Sequence, residues 1–258
     1  MKLKIVSLFL VFTNLFCTPA FSFTLNDTLS SKEYSWYYIP QKDSSPLPPK
    51  ETPFIKNHKV FYIGDSSKKE LFLTFDEGYE NGNTSKILDI LKENKVPAAF
   101  FVTKPYIKQN PDLIKRMVNE GHLVCNHTSH HPSMATIKDV NTFNKEFTDV
   151  EVEYKNLTGL DMPKFFRPPM GKYSELSLKY TDDLGYSSVF WSFAYKDWLI
   201  DNQPSPSEAK EKILGKTHNG GIMLLHAVSK TNTNLLDDIL KSWKNQGYEL
   251  KSLNDLKK

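Results

Sequence analysis

The chain has 258 residues, enough to bury a sizeable core, and its simplest organisation is one large domain with extensions. Hydrophobic residues make up 39% and charged residues 24%, an ordinary soluble composition, and the formal net charge is only +3. Acids and bases are interleaved, with no Arg/Lys face threaded by aromatics, so no nucleic-acid partner is expected.

The N-terminus has the three parts of a secretory signal peptide. Met1 to Lys4 is a short basic head, Ile5 to Phe16 is a mostly apolar run, and Ala20-Phe21-Ser22 fits a cleavage site. Residues 1–22 are therefore expected to be a signal peptide, and the mature protein to be exported to the extracytoplasmic space or cell wall. The apolar run is too short for a comfortable membrane span, so a membrane association is expected only if the signal stays uncleaved. The only cysteines are Cys17 and Cys125, so a cleaved chain has one thiol and no internal disulfide. Cys125 precedes His127 by two residues, yet a small buried residue at a strand end is its simpler reading.

Residues 23–58 form a polar, Pro-rich extension whose Trp36-Tyr37-Tyr38 cluster is suited to packing onto the main domain. From residue 59 to 258 short apolar strands alternate with helices. The sequence predicts strands at Glu70 to Phe75, Ala98 to Val102, His122 to Asn126, Phe165-Phe166, Ser188 to Ser192, Gly221 to Leu225 and Tyr248 to Leu250. Helices are expected at Ser85 to Asn94, Pro111 to Glu120, Val140 to Leu157, Leu176 to Leu184, Pro206 to Lys216 and Thr233 to Gln246. This alternation implies an α/β fold with a parallel sheet, open or closed into a barrel.

The chemically suggestive residues fall at the C-terminal ends of these strands, the rim where catalytic groups of β/α barrels converge. Asp76-Glu77 are adjacent carboxylates leaving an apolar strand, which repel unless a cation or paired base absorbs the charge. His127 and His131 lie four apart, so one tight loop can aim both imidazoles at one point and leave open positions on a divalent cation such as zinc. Arg167, stiffened by Pro168-Pro169, can hold a carboxylate through paired hydrogen bonds. Asp197 can orient a histidine beside the indole of Trp198, and His226 ends an apolar strand where a general acid can sit.

In this order, TFDEG (Thr74 to Gly78), HTSHH (His127 to His131), RPPMG (Arg167 to Gly171), DW (Asp197-Trp198) and LLH (Leu224 to His226) resemble the motifs of NodB-type polysaccharide deacetylases, carbohydrate esterase family four. The resemblance covers nearly the whole mature domain and implies a distorted (β/α) barrel, and an enzyme that hydrolyses a linear amide C–N bond with a divalent metal. It implies that His127 and His131 hold the metal with Glu77 in the third-ligand position. Asp76 would activate the attacking water, with Arg167 tethering it. His226 would protonate the leaving amine, oriented by Asp197, and Trp198 and Met170 would border the sugar.

Within the family, TFDEGYENG (Thr74 to Gly82), NEGHLVCNHTSHHP (Asn119 to Pro132), KDWLIDNQ (Lys196 to Gln203) and LLHAVS (Leu224 to Ser229) are similar to the peptidoglycan N-acetylmuramic acid deacetylases of the spore-cortex δ-lactam branch. That likeness implies peptidoglycan glycan strands as substrate and a monomeric enzyme of sporulation. An N-acetylglucosamine or chitooligosaccharide deacetylase is the alternative of the same chemistry. A non-catalytic glycan-binding module is the alternative of another class, against which a complete Asp76, Arg167 and His226 set argues. Two positions depart from the family pattern: Glu77 stands where Asp is usual, and Met170 where Tyr is usual.

Overall fold

In the computed structural model, residues 29–42 and 45–256 are described. The expected signal peptide and Cys17 lie outside them. The first strand, β1 (Tyr34–Ser35), is followed by β2 (Val60–Phe61), β3 (Glu70–Glu77), α1 (Thr84–Asn94), β4 (Ala99–Val102), α2 (Lys104–Gln109), α3 (Pro111–Asn119) and β5 (Leu123–Asn126). Then come α4 (Val140–Thr158), β6 (Phe165–Phe166), β7 (Lys172–Tyr173), α5 (Glu175–Asp183), β8 (Ser187–Val189), α6 (Pro206–Gly215), β9 (Gly221–His226), α7 (Lys230–Asn245) and β10 (Glu249–Leu250). The long strands and helices match the sequence expectations to within a few residues.

The main sheet runs β10-β3-β4-β5-β6-β8-β2, with β9 also paired to β3, and all of these pairings are parallel. The sequence predicts one strand over Ser188 to Ser192, but the ladder stops at Val189. The next residues change partners: Phe190 N–H donates to the Phe61 carbonyl, whereas Ser192 N–H donates to the Ile222 carbonyl. This segment crosses from β2 to β9, so no single neighbour can pair with it throughout. Phe193 bridges Met223, and that contact curls the sheet into a distorted (β/α) barrel.

Side-chain alternation divides the strands between two cores. On β3, Leu71, Leu73 and Phe75 face the helical layer with Ile87, Leu91 and Trp243, and Phe75 stacks on Phe100 at 5.2 Å. Phe72 faces the opposite way, into the barrel with Phe101, Cys125 and Ile222.

The Pro-rich segment is part of this architecture. Its β1 pairs antiparallel with β7, and Trp36 is buried, stacked on Phe190 at 4.4 Å with its indole N–H on the Trp191 carbonyl at 2.9 Å. The packing role expected for the aromatic cluster thus falls to Trp36, while Tyr37 is exposed and bonds Glu51. Close approach explains Gly171, whose φ is +64°: a Cβ there would lie 2.8 Å from the Trp191 ring.

Among the described residues, no helix is long and apolar enough to cross a membrane.

Candidate active site

The interior face of β3 carries Phe72, Thr74 and Asp76, so the strand that builds the core also delivers a carboxylate to the barrel's C-terminal rim. Arg167, directly after β6, reaches across the barrel to meet it. Its Nη1 donates to Asp76 Oδ1 at 2.7 Å, Nη2 to Thr74 Oγ1 at 3.0 Å, and Nε to the Val189 carbonyl at 3.0 Å. The guanidinium lies over the Phe101 ring at 4.2 Å and is wholly buried. Burial alone would raise the Asp76 pKa. The charge of Arg167, with help from His127 and His226, outweighs it and holds the carboxyl below its ordinary value.

His127 leaves β5 on the same interior face as Cys125. Its Nδ1 donates to the Arg167 carbonyl at 2.8 Å, which leaves Nε2 unprotonated, 3.7 Å from Asp76 Oδ2. Burial pushes its pKa down to about 4, so the ring is neutral near pH 7. The His131 ring meets it edge-on at 4.9 Å, and burial lowers that pKa too.

The loop between them is strained, with Thr128 at φ 72° and His131 at φ 58°. Side chains hold it in place. Asn126 Oδ1 accepts from Thr128 N–H at 2.9 Å, and Thr128 Oγ1 from His131 N–H at 2.9 Å. Glu146 of α4 accepts from the Ser129 and His130 N–H groups at 3.0 and 2.9 Å, and pairs with His130 Nδ1 at 2.7 Å. Glu146 lies inside a helix and matches no local pattern in the sequence, so nothing in the sequence marks it.

On β9, His226 is the register partner of Asp76. Its Nδ1 donates to Asp197 Oδ1 at 2.7 Å, and Asp197 Oδ2 accepts from the His226 main-chain N–H at 2.9 Å and from Asn232 Nδ2 at 2.5 Å. Burial would lower the His226 pKa, but the hydrogen bond and charge of Asp197 outweigh it and raise the pKa. Asn232 is a second support that the sequence did not reveal; it sits in the first turn of α7. Trp198, half-exposed, lies 5.3 Å from the His226 ring.

Asp76, His127, His131, His226, Met170 and Trp198 all line one pocket of about 860 Å³, within the usual range for a small-molecule site. Arg167 and Asp197 stand buried beneath it.

Glu77 does not join them. Still within β3, it takes the alternate face with Leu73 and Phe75, and its Oε1 accepts from Thr84 Oγ1 of α1 at 3.4 Å. Its Oε2 is buried without a hydrogen-bond partner. Burial first, then the neighbouring Glu80, pushes its pKa well above the ordinary value. Here the structure departs from the expected third-ligand position, because a residue directly following Asp76 in a regular strand must point to the other side.

A family model for polysaccharide deacetylases matches residues 63–189. Peptidoglycan-N-acetylmuramic acid deacetylase PdaA of Bacillus subtilis is 45% identical over 202 residues, covering 78% of this chain and 76% of that protein. A peptidoglycan-N-acetylglucosamine deacetylase of Bacillus cereus is 31% identical over 245 residues, covering 91% and 86%. The solved structure of Bacillus subtilis PdaA, a family 4 carbohydrate esterase, matches with a TM-score of 0.85 at 40% identity, over 88% of this chain and 98% of that one. The chain therefore belongs to the polysaccharide deacetylase family, carbohydrate esterase family 4, and is an enzyme of that class.

Deacetylases of this family are generally metal-dependent, and the donors at the rim fit a cation. The His127 hydrogen bond to a carbonyl fixes the tautomer that frees Nε2 for a metal, and His131 faces the same space. Among the described residues, no group of three His, Cys, Asp or Glu side chains could hold a metal ion. His127 and His131 are thus the two imidazoles that face the pocket together.

Proposed function

We propose that the protein hydrolyses the N-acetyl group of amino sugars in peptidoglycan, acting on N-acetylmuramic acid on the route to muramic δ-lactam in spore cortex. The observation that carries the hydrolytic reading is the pairing of Asp76 with His226 across one pocket, each held by a buried partner of opposite charge. The muramic acid preference rests on the similarity to PdaA over most of both chains.

His127 and His131 would hold a divalent cation, zinc or similar, which supplies Lewis-acid polarisation of the acetamide carbonyl. Arg167 occupies Asp76 Oδ1, so Oδ2 is the oxygen left to take a proton from the attacking water. A main-chain N–H in the turn after Arg167 would assist the oxyanion. His226 then delivers a proton from Nε2 to the departing nitrogen, because its Nδ1 is committed to Asp197. Acetate and a free amino sugar result. Trp198 and Met170, both half-exposed at the pocket, would contact the sugar ring.

Wall glycan lies outside the membrane, so export through a leader at residues 1–22 belongs to this proposal, as does action as a monomer. The test is acetate release from peptide-free peptidoglycan, with mass spectrometry locating the sugar that lost its acetyl group. Loss from muramic acid is the expected result. Loss from glucosamine alone would replace this reading with the glucosamine one, and glycan binding without acetate release would make the chain a binding module.

A further inference from the structure

The pocket wall contains a cation for which the deacetylation chemistry has no use. Lys196, which immediately precedes Asp197, the residue that holds His226, is exposed and lines the pocket with Tyr195 and Trp198. It makes no ion pair or hydrogen bond with any described residue. The acids that hold the site are already engaged: Asp76 with Arg167, and Asp197 with His226 and Asn232. An exposed ammonium on the lining of a substrate pocket, with no ion pair among the described residues, is available to an anion that arrives with the substrate.

We propose that Lys196 is a specificity-determining residue that reads a carboxylate on the substituent next to the scissile acetamide, namely the free lactyl carboxylate of muramic acid. This rests on the proposed peptidoglycan reading and goes beyond it by assigning the feature that separates the two amino sugars. The lactyl ether sits on the ring carbon adjacent to the one bearing the acetamide, so its carboxylate must lie close to the reacting nitrogen. In the proposed mechanism His226 protonates that nitrogen, and Lys196 lines the same pocket as His226 and Trp198. Glucosamine carries a hydroxyl at this position and offers the ammonium no charge. A muramic acid whose carboxyl is tied up as an amide offers none either.

The test crosses protein with substrate. Deacetylation of a muramic acid glycan is measured with the lactyl group as free acid and as carboxamide, in the intact protein, Lys196→Gln and Lys196→Arg. In the intact protein the carboxamide should be poorer by about tenfold in kcat/KM, mostly through KM, as expected for a charge-assisted contact at a partly solvated site. In Lys196→Gln the acid and carboxamide should become nearly equal, the signature of a coupled pair, and Lys196→Arg should restore part of the preference. If the intact protein processes acid and carboxamide equally, Lys196 does not read the carboxylate, and the muramic acid reading survives. The same holds if Lys196→Gln keeps the full preference. If the intact protein acts on glucosamine but on neither muramic acid glycan, the reading and the inference fall together.

Discussion

Asp76 and His226 are register partners on the adjacent parallel strands β3 and β9, so their side chains leave the same barrel rim side by side. Arg167 holds the first from below, and Asp197 holds the second. An acid and a base fixed on neighbouring strands need no loop closure to meet one substrate bond. Replacing Asp76 with Asn keeps the shape and an acceptor for Arg167 but removes the base. The expected outcome is a fall in kcat of about 10²- to 10⁴-fold with the circular dichroism spectrum unchanged. A variant retaining more than a tenth of the rate would remove Asp76 from the mechanism.

Arg167 couples stability to acidity at this site. It is wholly buried, and its charge is answered by Asp76. Arg167→Met is expected to lose about 3–5 kcal/mol in urea denaturation, the usual consequence of breaking a buried pair from one side. The sign of the pH effect follows from the Asp76 carboxyl, which sits below its ordinary value in the folded protein. Its contribution to stability is complete above the unfolded pKa and is lost as pH falls through the folded one. Under the proposed mechanism activity needs the ionised form, so the acid limb of the kcat/KM profile should follow the folded pKa. In a folded Arg167 variant this limb should move to higher pH, and an unmoved limb would show that Asp76 is not the group titrating there.

Under the proposed mechanism the opposite limb belongs to His226. Its pKa is raised because Asp197 outweighs the effect of burial. A general acid must be protonated, so activity is lost as pH rises through that raised value. Asp197→Asn keeps an acceptor for Nδ1 and removes the charge, so the alkaline limb should shift to lower pH. Retention of the original alkaline limb in Asp197→Asn would assign it to another group.

The site was legible where a motif lies at the end of an apolar strand. Asp76, His127, Arg167 and His226 each end or follow a run of hydrophobic residues, and a barrel gathers such ends on one rim. The third-ligand position of Glu77 came from the family resemblance, and the predicted strand stopped at Phe75, so strand alternation was not applied to Asp76-Glu77. The strand continues through Glu77, which pairs with Val102, and alternation then sends the two carboxyls to opposite faces. Helix α2 also escaped the sequence reading. It is only six residues long, starts with Pro105 in its first turn and is capped by the Thr103 side chain. Glu146 and Asn232 could not be read from spacing, since their partners are remote in the chain.

Glu77 now separates two accounts of the metal site. In the structure it is a buried carboxyl whose pKa is pushed well above the ordinary value by burial and by Glu80, facing Thr84 behind the strand. Gln is its neutral isostere, so Glu77→Gln should cost no more than about 1 kcal/mol and leave zinc affinity nearly intact by calorimetric titration. His127→Ala should weaken zinc binding by roughly tenfold or more, as expected for loss of a ligand rather than its support. Chelation should abolish acetate release from the unaltered protein, and added zinc should restore it. A loss of zinc affinity in Glu77→Gln as large as in His127→Ala would mean that the carboxylate reaches the metal.

Cys125 stands two residues before His127 on the same face of β5, close enough in sequence to suggest a ligand or nucleophile. The structure seals it inside the barrel with Phe101, Val189 and Ile222, as the simpler sequence reading expected. Burial pushes its thiol pKa far up and outweighs the opposing charge of Arg167, so the nucleophilic thiolate is suppressed near neutral pH. Iodoacetamide should leave the native protein unlabelled and fully active, and should label this thiol only once the protein is unfolded in urea. Cys125→Ala should retain catalysis while losing about 1 kcal/mol of stability to the small void it opens. Rapid labelling of the native protein, with parallel loss of acetate release, would place the thiol in contact with the site after all.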